Sequence, residues 1–408
     1  MPSKIRSKRP AKPSWSIKIT EGGVLAPAGF LGGAVAAGIK NPKAERLDLA
    51  LIVSDSVCSA AGTFTTNKVK AAPVLISMEH IKGGKARAVV LNSGNANACT
   101  GAGGLKAASQ MAAATAKKIR AKSNEVLVCS TGRIGVAMPV PRIKSGLTAL
   151  QLSRGDHLSI ARAIMTSDTF PKHIALTVKT AAGVFHVGGI AKGAGMIDPT
   201  MATMLCVITT DAAVPAPMLR RVLRQVVENS FNRITVDGDM STNDTVLVLA
   251  NGASGVKPDE DEFIAALQQV AEVLARSIVL DGEGVSKFVE VEVLGAASKK
   301  DAKAAAEAVA NSTLVKCAWA GNDPNWGRIM DALGYCGAKL AESKISIAYD
   351  GLPIVQGGLL AATSWKKLQA IAAQPQFRIT INLGLGNATH EVWTTDLTEE
   401  YVRLNLGE

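Results

Sequence analysis

Apolar residues along the chain follow two spacings, and each predicts a different element. Short apolar runs and every-second-residue alternation mark strands over 47–54, 86–92, 125–129, 174–179 and 184–190. Another opens at Met204, where Met204, Leu205, Cys206, Val207 and Ile208 form a run that suits a buried strand. Within 285–294, Val289, Val291 and Val293 alternate with Glu290 and Glu292, as in a half-exposed strand, and strands over 344–349 and 377–384 close the second half. Helical spacing governs 105–120, the neighbourhood of 159–166, 217–230 and the Ala-rich 300–311. The strongest amphipathic pattern follows Pro258, expected in a first helical turn. Acids over 259–262 complement the positive end of that helix, and Phe263, Ile264, Leu267, Val270, Ala271 and Leu274 share one face. In GNDPNWGRI (321–329), Asp323 and Pro324 suggest a turn opening a helix, with Trp326 packing. Residues 22–40 form a Gly-rich entry with little periodicity.

Composition narrows the class. A chain of 408 residues, 47% hydrophobic and 4% aromatic, fits an aliphatic α/β protein of two or three domains. No apolar run reaches the roughly 18 residues needed to span a bilayer, so no membrane role is expected. The net charge of +11 would invite a nucleic-acid partner, but five of the basic residues lie in 1–13 without an acid, as in a solvated terminus. Residues 1–21 are expected to be a basic, flexible tail, too poor in apolar residues for an amphipathic or secretory targeting segment. No zinc-finger or RNP-type motif accompanies the charge, so no nucleic acid is expected as partner. The six cysteines are scattered without a CxxC pair, and several lie in apolar runs where a reduced thiol acts as a small hydrophobe, which reads as cytoplasmic. The five histidines show no ligand spacing, and no metal site is expected.

The candidate chemistry centres on KGAGMIDPTMATMLCVITTD (192–211), where a glycine- and proline-containing loop runs into the strand that opens at Met204. Thr203 stands at that junction. A hydroxyl is a weak nucleophile without a base in hydrogen-bond reach. A cut between Ala202 and Thr203 would place an α-amine, of pKa about 7.7 to 8.0, on the same residue as the hydroxyl, joining nucleophile and base. Taken alone, a Thr opening an apolar strand is more often an ordinary β-former.

Motifs along the chain bear on that choice: DLALIVSD (48–55), TTNKVKAAPV (65–74), LNSGNANACTG (91–101), STGRIG (130–135), MTSDTFPK (165–172), FNRITVDGDMSTND (231–244), DGEG (281–284), GNDPNWGRI (321–329) and WTTDLTEEYV (393–402). With the central stretch, they resemble the ornithine acetyltransferase (glutamate N-acetyltransferase) family, in order, from about residue 22 to 405.

The resemblance implies an α-β-β-α sandwich of mixed sheets with N-terminal-nucleophile-like architecture. It also implies self-cleavage into an α chain (22–202, after the tail) and a β chain (203–408), assembled as two of each. The implied reaction moves an acetyl group from N-acetylornithine to glutamate through an acetyl-threonine at Thr203, with ping-pong kinetics and no cofactor. Thr131 and Gly132 would form the oxyanion hole, and Thr169, Lys192, Thr203, Glu283 and Asn405 would contact substrate. The physics of the assignments agrees: glycine lets an amide approach a developing alkoxide, Lys192 suits an amino-acid carboxylate, and Glu283 suits a substrate amine.

Two departures stand out. Met240 occupies a usual Thr position, and the chain ends Leu406, Gly407, Glu408, where the family continues to a substrate-contacting Ser or Thr. Acetyl-CoA as a further co-substrate is left open. So are an N-terminal-Thr amidase or aminopeptidase of similar fold and a non-enzymatic basic binding protein. Asp237, Asp239 and Asp244 lack the EF-hand glycine and terminal glutamate and read as a polar turn near the site.

Overall fold

The computed structural model of the chain describes residues 15–43, 45–198 and 204–406. One sheet is built from nine strands: β1 (Ser16–Thr20), β2 (Phe30–Val35), β3 (Leu49–Phe64), β4 (Lys85–Asn92), β5 (Val126–Ser130), β6 (Lys172–Thr180), β7 (Gly183–Lys192), β8 (Leu205–Thr210) and β9 (Thr245–Ala250). Its path runs β1-β6-β7-β8-β9-β3-β4-β5, with β2 added on β3. It is mixed: β8 and β9 run parallel, as do β4 and β5, while the other pairs are antiparallel.

The long strand β3 gives this sheet its shape. Its first part pairs with β2 and β4, a register shift falls between Val53 and Cys58, and its last residues, Ser59 to Phe64, pair with β9. The bulge folds the sheet so that its two halves face each other. Side-chain alternation shows the layers. Ala50, Ile52, Val89, Leu91, Leu127 and Cys129 from one half meet Ile190, Leu205, Val207, Leu247 and Leu249 from the other in an inner core. Their neighbours in sequence point outward. Leu51, Val90 and Val128 pack under α2 (Gly101–Ile119) and α3 (Val140–Ala149), and Cys206, Ile208, Val246 and Val248 under α5 (Ala216–Glu228) and α6 (Glu260–Leu280). The result is the expected helix, sheet, sheet, helix order. Helix α1 (Ala72–His80) packs beside β5 and α2, and α4 (His157–Ala163) closes one edge of the inner core with Ile160 and Ala161.

A second, six-stranded sheet follows in the order β13-β12-β11-β14-β10-β15, where β10 is Phe288–Ala296, β11 Ser346–Tyr349, β12 Leu352–Gln356, β13 Leu359–Leu360, β14 Gln376–Asn382 and β15 Ala388–Thr395. The valines of β10 are buried as its alternation predicts. They pack under α7 (Lys299–Asn311), α8 (Thr313–Ala320), α9 (Trp326–Tyr335) and α10 (Trp365–Ala372). Phe288 and Trp393 join this unit to the core under α6, and a short α11 (Glu399–Leu404) returns toward the first sheet.

Some expectations need correction. Ser16–Thr20, placed in the flexible tail, is an edge strand on β6, with Ile17 packed against the core. Residues 22–40 contain β2. Its period is hidden by Gly32 and Gly33, and the latter lies so close to the carbonyl of Gln151 that a Cβ would collide. Pro258 sits one residue before the helix cap: Asp259 accepts from the Glu262 amide and Glu262 from the Asp259 amide, a capping box. Among the described residues, α6 is long and apolar enough to cross a membrane by length and composition. Its Phe263, Leu267, Val270 and Leu274 are nonetheless fully buried in the core.

Candidate active site

The site lies at the mouth of the two facing half-sheets. β5 ends at Ser130, and Thr131 follows with its amide donating to Asn92 O at 3.0 Å across the parallel β4. Opposite, β7 ends at Lys192. Ile190 faces the inner core, and Lys192, two residues on, shares its face. The Lys192 Nζ donates to Thr131 Oγ1 at 3.5 Å, which joins the half-sheets through two side chains no more than 3% exposed. Two of the expected site residues are thus in direct contact.

Gly132 follows Thr131 with φ +126, a left-handed conformation that favours glycine, and a Cβ there would lie 2.5 Å from the carbonyl carbon of Gly94. The loop it approaches is itself fixed. Asn243 donates to Ala96 O at 2.7 Å and to Ser130 O at 2.8 Å, and the Asn92 carboxamide accepts from Ser130 Oγ at 2.6 Å. Thr131 and Gly132 therefore stand on a rigid turn, as an oxyanion hole requires.

Thr203 and Ala202, the expected nucleophile and cleavage position, lie outside the described residues. Their flanks are held by one loop. Upstream, Asp237 accepts the amides of Met196 at 2.7 Å and Ile197 at 2.8 Å, and Met196 takes a positive φ of 59° there. Downstream, the Met204 amide donates to Asp244 Oδ1 at 3.0 Å. The segment read as a polar turn near the site is thus a pair of carboxylate clamps. Burial pushes the Asp244 carboxyl well above the usual carboxylate range, opposed by the Met204 amide and the charge of Lys192.

Charge around Lys192 is layered. Burial lowers its pKa, and Lys172 adds to this, while Asp168, Asp244 and Glu283 pull the other way. Asp168 accepts from Lys172 Nζ and from the Gly193 amide, each at 2.7 Å. Burial alone would raise this carboxyl, but Lys192, Lys172 and the Gly193 amide hold it down at about 2. Lys172 reaches Asp281 as well, at 2.5 Å.

The remaining expected residues divide. Glu283 packs on Gly195, where a Cβ would meet its carboxylate carbon at 2.6 Å, and its amide donates to Ala194 O at 2.9 Å. Asn405, just beyond α11, donates to Glu283 Oε2 at 3.0 Å, so the chain's end is brought to the site. Thr169 is different: its amide and hydroxyl both donate to Asp281, while its exposed side faces a cleft beside Asp168. Asp168 and Lys172, within MTSDTFPK, and Asn243, within MSTND, belong to the site although the sequence motifs mark none of them out. Charged and amide residues spaced closely before a strand were the available signal.

Comparison with known proteins shows the family. The sequence profile of the ArgJ family matches residues 32–407. The arginine biosynthesis bifunctional protein ArgJ of Geobacter sulfurreducens is 50% identical over 387 residues, 92% of this chain and 98% of that protein. Its counterpart in Symbiobacterium thermophilum is 44% identical over 392 residues, 94% of this chain and 98% of that protein. A crystal structure of the protein of the same description from Bacillus halodurans is 40% identical, covering 49% of this chain and 97% of that one at a TM-score of 0.47. With the profile matched from residue 32 almost to the end and half the residues shared across species, the chain belongs to the ArgJ family.

Proposed function

We propose that the protein is an acetyltransferase of arginine biosynthesis that carries acetyl from N-acetylornithine to glutamate on Thr203, after cleavage between Ala202 and Thr203. The observation that carries this reading is the pair of clamps: Asp237 grips the backbone before residue 199, and Asp244 grips it at Met204. Flanks held in this way at Met196, Ile197 and Met204 support the reading, since fixed ends favour chemistry at the bond between them.

In the first half-reaction Thr203 Oγ attacks the acetyl carbonyl carbon, and its α-amine takes the hydroxyl proton. The Thr131 hydroxyl and the Gly132 amide donate to the developing oxyanion, and collapse expels ornithine as its amine gains that proton. In the second, the amine of glutamate attacks the ester, N-acetylglutamate leaves, and the threonine hydroxyl is restored. Lys192 faces the substrate carboxylate, and Glu283, held by Asn405, faces a substrate amine. The chemistry draws on side chains and backbone of this chain alone. The curated relatives are described as bifunctional. A second donor, acetyl-CoA, would account for two activities at one threonine. Two α and two β chains are the assembly we infer from the family reading.

Intact mass tests the reading. The expected result is two chains, ending at Ala202 and beginning at Thr203, with one acetyl adduct on the second after addition of N-acetylornithine. Thr203→Ala should give one uncut, unmodified chain. A parent protein that stays whole, or an adduct on the first chain, would sink the mechanism.

A further inference from the structure

Helix α11 is short and lies near the surface. None of its six residues is buried, and Val402 and Leu404 are 55% and 46% exposed. Hydrophobic burial therefore does little to fix its position, and specific polar bonds do so instead. Thr398, its cap, donates to Gly284 O and accepts the Glu400 amide at 3.2 Å. Gly284 has a φ of +64°, and a Cβ there would run into the backbone of Tyr401, so the helix rests directly on the DGEG turn. At the far end Asn405 donates to Glu283 Oε2 at 3.0 Å.

One more bond leaves the helix in another direction. The Tyr401 hydroxyl donates to Asp237 Oδ2 at 3.2 Å, and the same oxygen accepts the Met196 amide at 2.7 Å. Asp237 Oδ1 accepts the Ile197 amide at 2.8 Å, while the Ile197 carbonyl accepts from the Val236 amide at 2.9 Å and from Thr235 Oγ1 at 3.0 Å. Burial first, then the charge of Asp237, raises the pKa of the Tyr401 hydroxyl, which keeps it the donor. The acetyl-transfer steps leave Tyr401 without a role. Its bond reaches instead the backbone just upstream of the candidate cleavage position, where Ala202 follows Ile197 by five residues.

The proposed cut is an acyl shift followed by hydrolysis. Thr203 Oγ attacks the Ala202 carbonyl carbon, the peptide C–N bond breaks as its nitrogen takes the hydroxyl proton, and one water splits the ester into the Ala202 carboxyl and the Thr203 hydroxyl. Such a step is sensitive to the placing of the reacting groups: a displacement of about 1 Å can cost on the order of a hundredfold in rate.

We propose that Tyr401 is a positioning residue for self-cleavage, tying the docked α11 through Asp237 to Met196 and Ile197 so that the chain cuts slowly until that helix is in place. The inference rests on the cleavage reading above. Because α11 follows the whole second sheet in sequence, cutting then waits until both units have formed.

Cell-free synthesis of the full chain, with a chase that follows conversion of the uncut chain into two, tests it. Tyr401→Phe keeps the ring and removes the hydroxyl, and cutting should slow about tenfold or more, as expected for loss of a hydrogen bond to a carboxylate. Val402→Ala, at an exposed position of the same helix, should cut at the rate of the parent. Asp237→Asn should slow cutting as well, and adding Tyr401→Phe to it should slow it no further, because the hydroxyl acts through that carboxylate. A tyrosine that only packs would give losses that add. Cutting by Tyr401→Phe within twofold of the parent overturns the proposal, as do an equal loss in Val402→Ala or additive losses in the double variant. Where Asp237→Asn leaves no cutting to follow, Tyr401→Phe against Val402→Ala decides alone. If the parent itself stays whole, the cleavage reading fails first and this inference with it; if the parent cuts and Tyr401→Phe keeps pace, only this inference falls.

Discussion

At Asp198, the last described residue before the candidate cleavage segment, four carboxyl groups come together. Burial first, then the negative charges of Glu307, Asp237 and Asp239, push its pKa up to about 7, against a hydrogen bond with Asn311. A carboxyl raised above its unfolded value of about 3.9 keeps its proton longer in the folded state than in the unfolded one. Its stabilising effect is therefore fully present below that unfolded value and fades as pH climbs through about 7. Asp198→Asn should raise the melting temperature relative to the parent at pH about 8 and change it little at pH about 4. Equal shifts at both would mean the proton is not involved.

Legibility at this scale was uneven. Thr131, Gly132, Lys192, Glu283 and Asn405 came from motif resemblance, and all five fall into two contacting pairs or a shared turn. Asp168, Lys172 and Asp281 did not: Asp168 and Lys172 are four residues apart, but Asp281, which completes the network, lies 109 residues beyond Lys172 and leaves no local pattern.

Among the elements, α6 was the clearest in sequence because two independent signals coincided. The acids at its start form a capping box, and its apolar stripe is the buried face. Asp259→Ala removes the side chain that accepts the Glu262 amide at 2.8 Å and should cost about 1 kcal/mol, read as a lower urea midpoint at unchanged slope. No change in midpoint would show that water replaces the cap without loss. Strand β3 was legible only in its first half. Beyond Ser54 the exposed Asp55, Ser56 and Val57 interrupt the apolar run at the bulge, and the residues from Cys58 to Thr63 are small. What decides that stretch is its pairing with β9, nearly two hundred residues away, which periodicity cannot register. The glycines of β2 hid a strand for a related reason: the space they leave is filled by another part of the chain.

On the scale of the molecule, helices and strands alternating in an aliphatic chain pointed to an α/β protein and the family resemblance implied its layers, but neither told how the chain is threaded through them. β8 and β9, which follow the candidate cleavage position, lie between β7 and β3, which precede it. The seams run from Lys192↔Leu205 to Val187↔Thr210 on one side and from Phe64↔Thr245 to Ser59↔Ala250 on the other. The proposed cleavage at 202/203 would therefore leave two chains sharing one sheet. After unfolding in denaturant, the cut protein should recover activity with a yield that rises with protein concentration. The Thr203→Ala chain should recover its native far- and near-ultraviolet circular dichroism with a yield independent of concentration. A concentration-independent recovery of the cut protein would contradict the shared sheet.

The same interleaving bears on descent. A chimaera joining the region before residue 199 of one relative to the region after 203 of another has to satisfy both strand seams and the Lys192 to Thr131 bridge at once. A substitution that alters the pleat on one side of a seam can be retained only with a compatible partner on the other. Although the proposed mature enzyme consists of separate polypeptides, its halves are bound to be inherited together, as one reading frame.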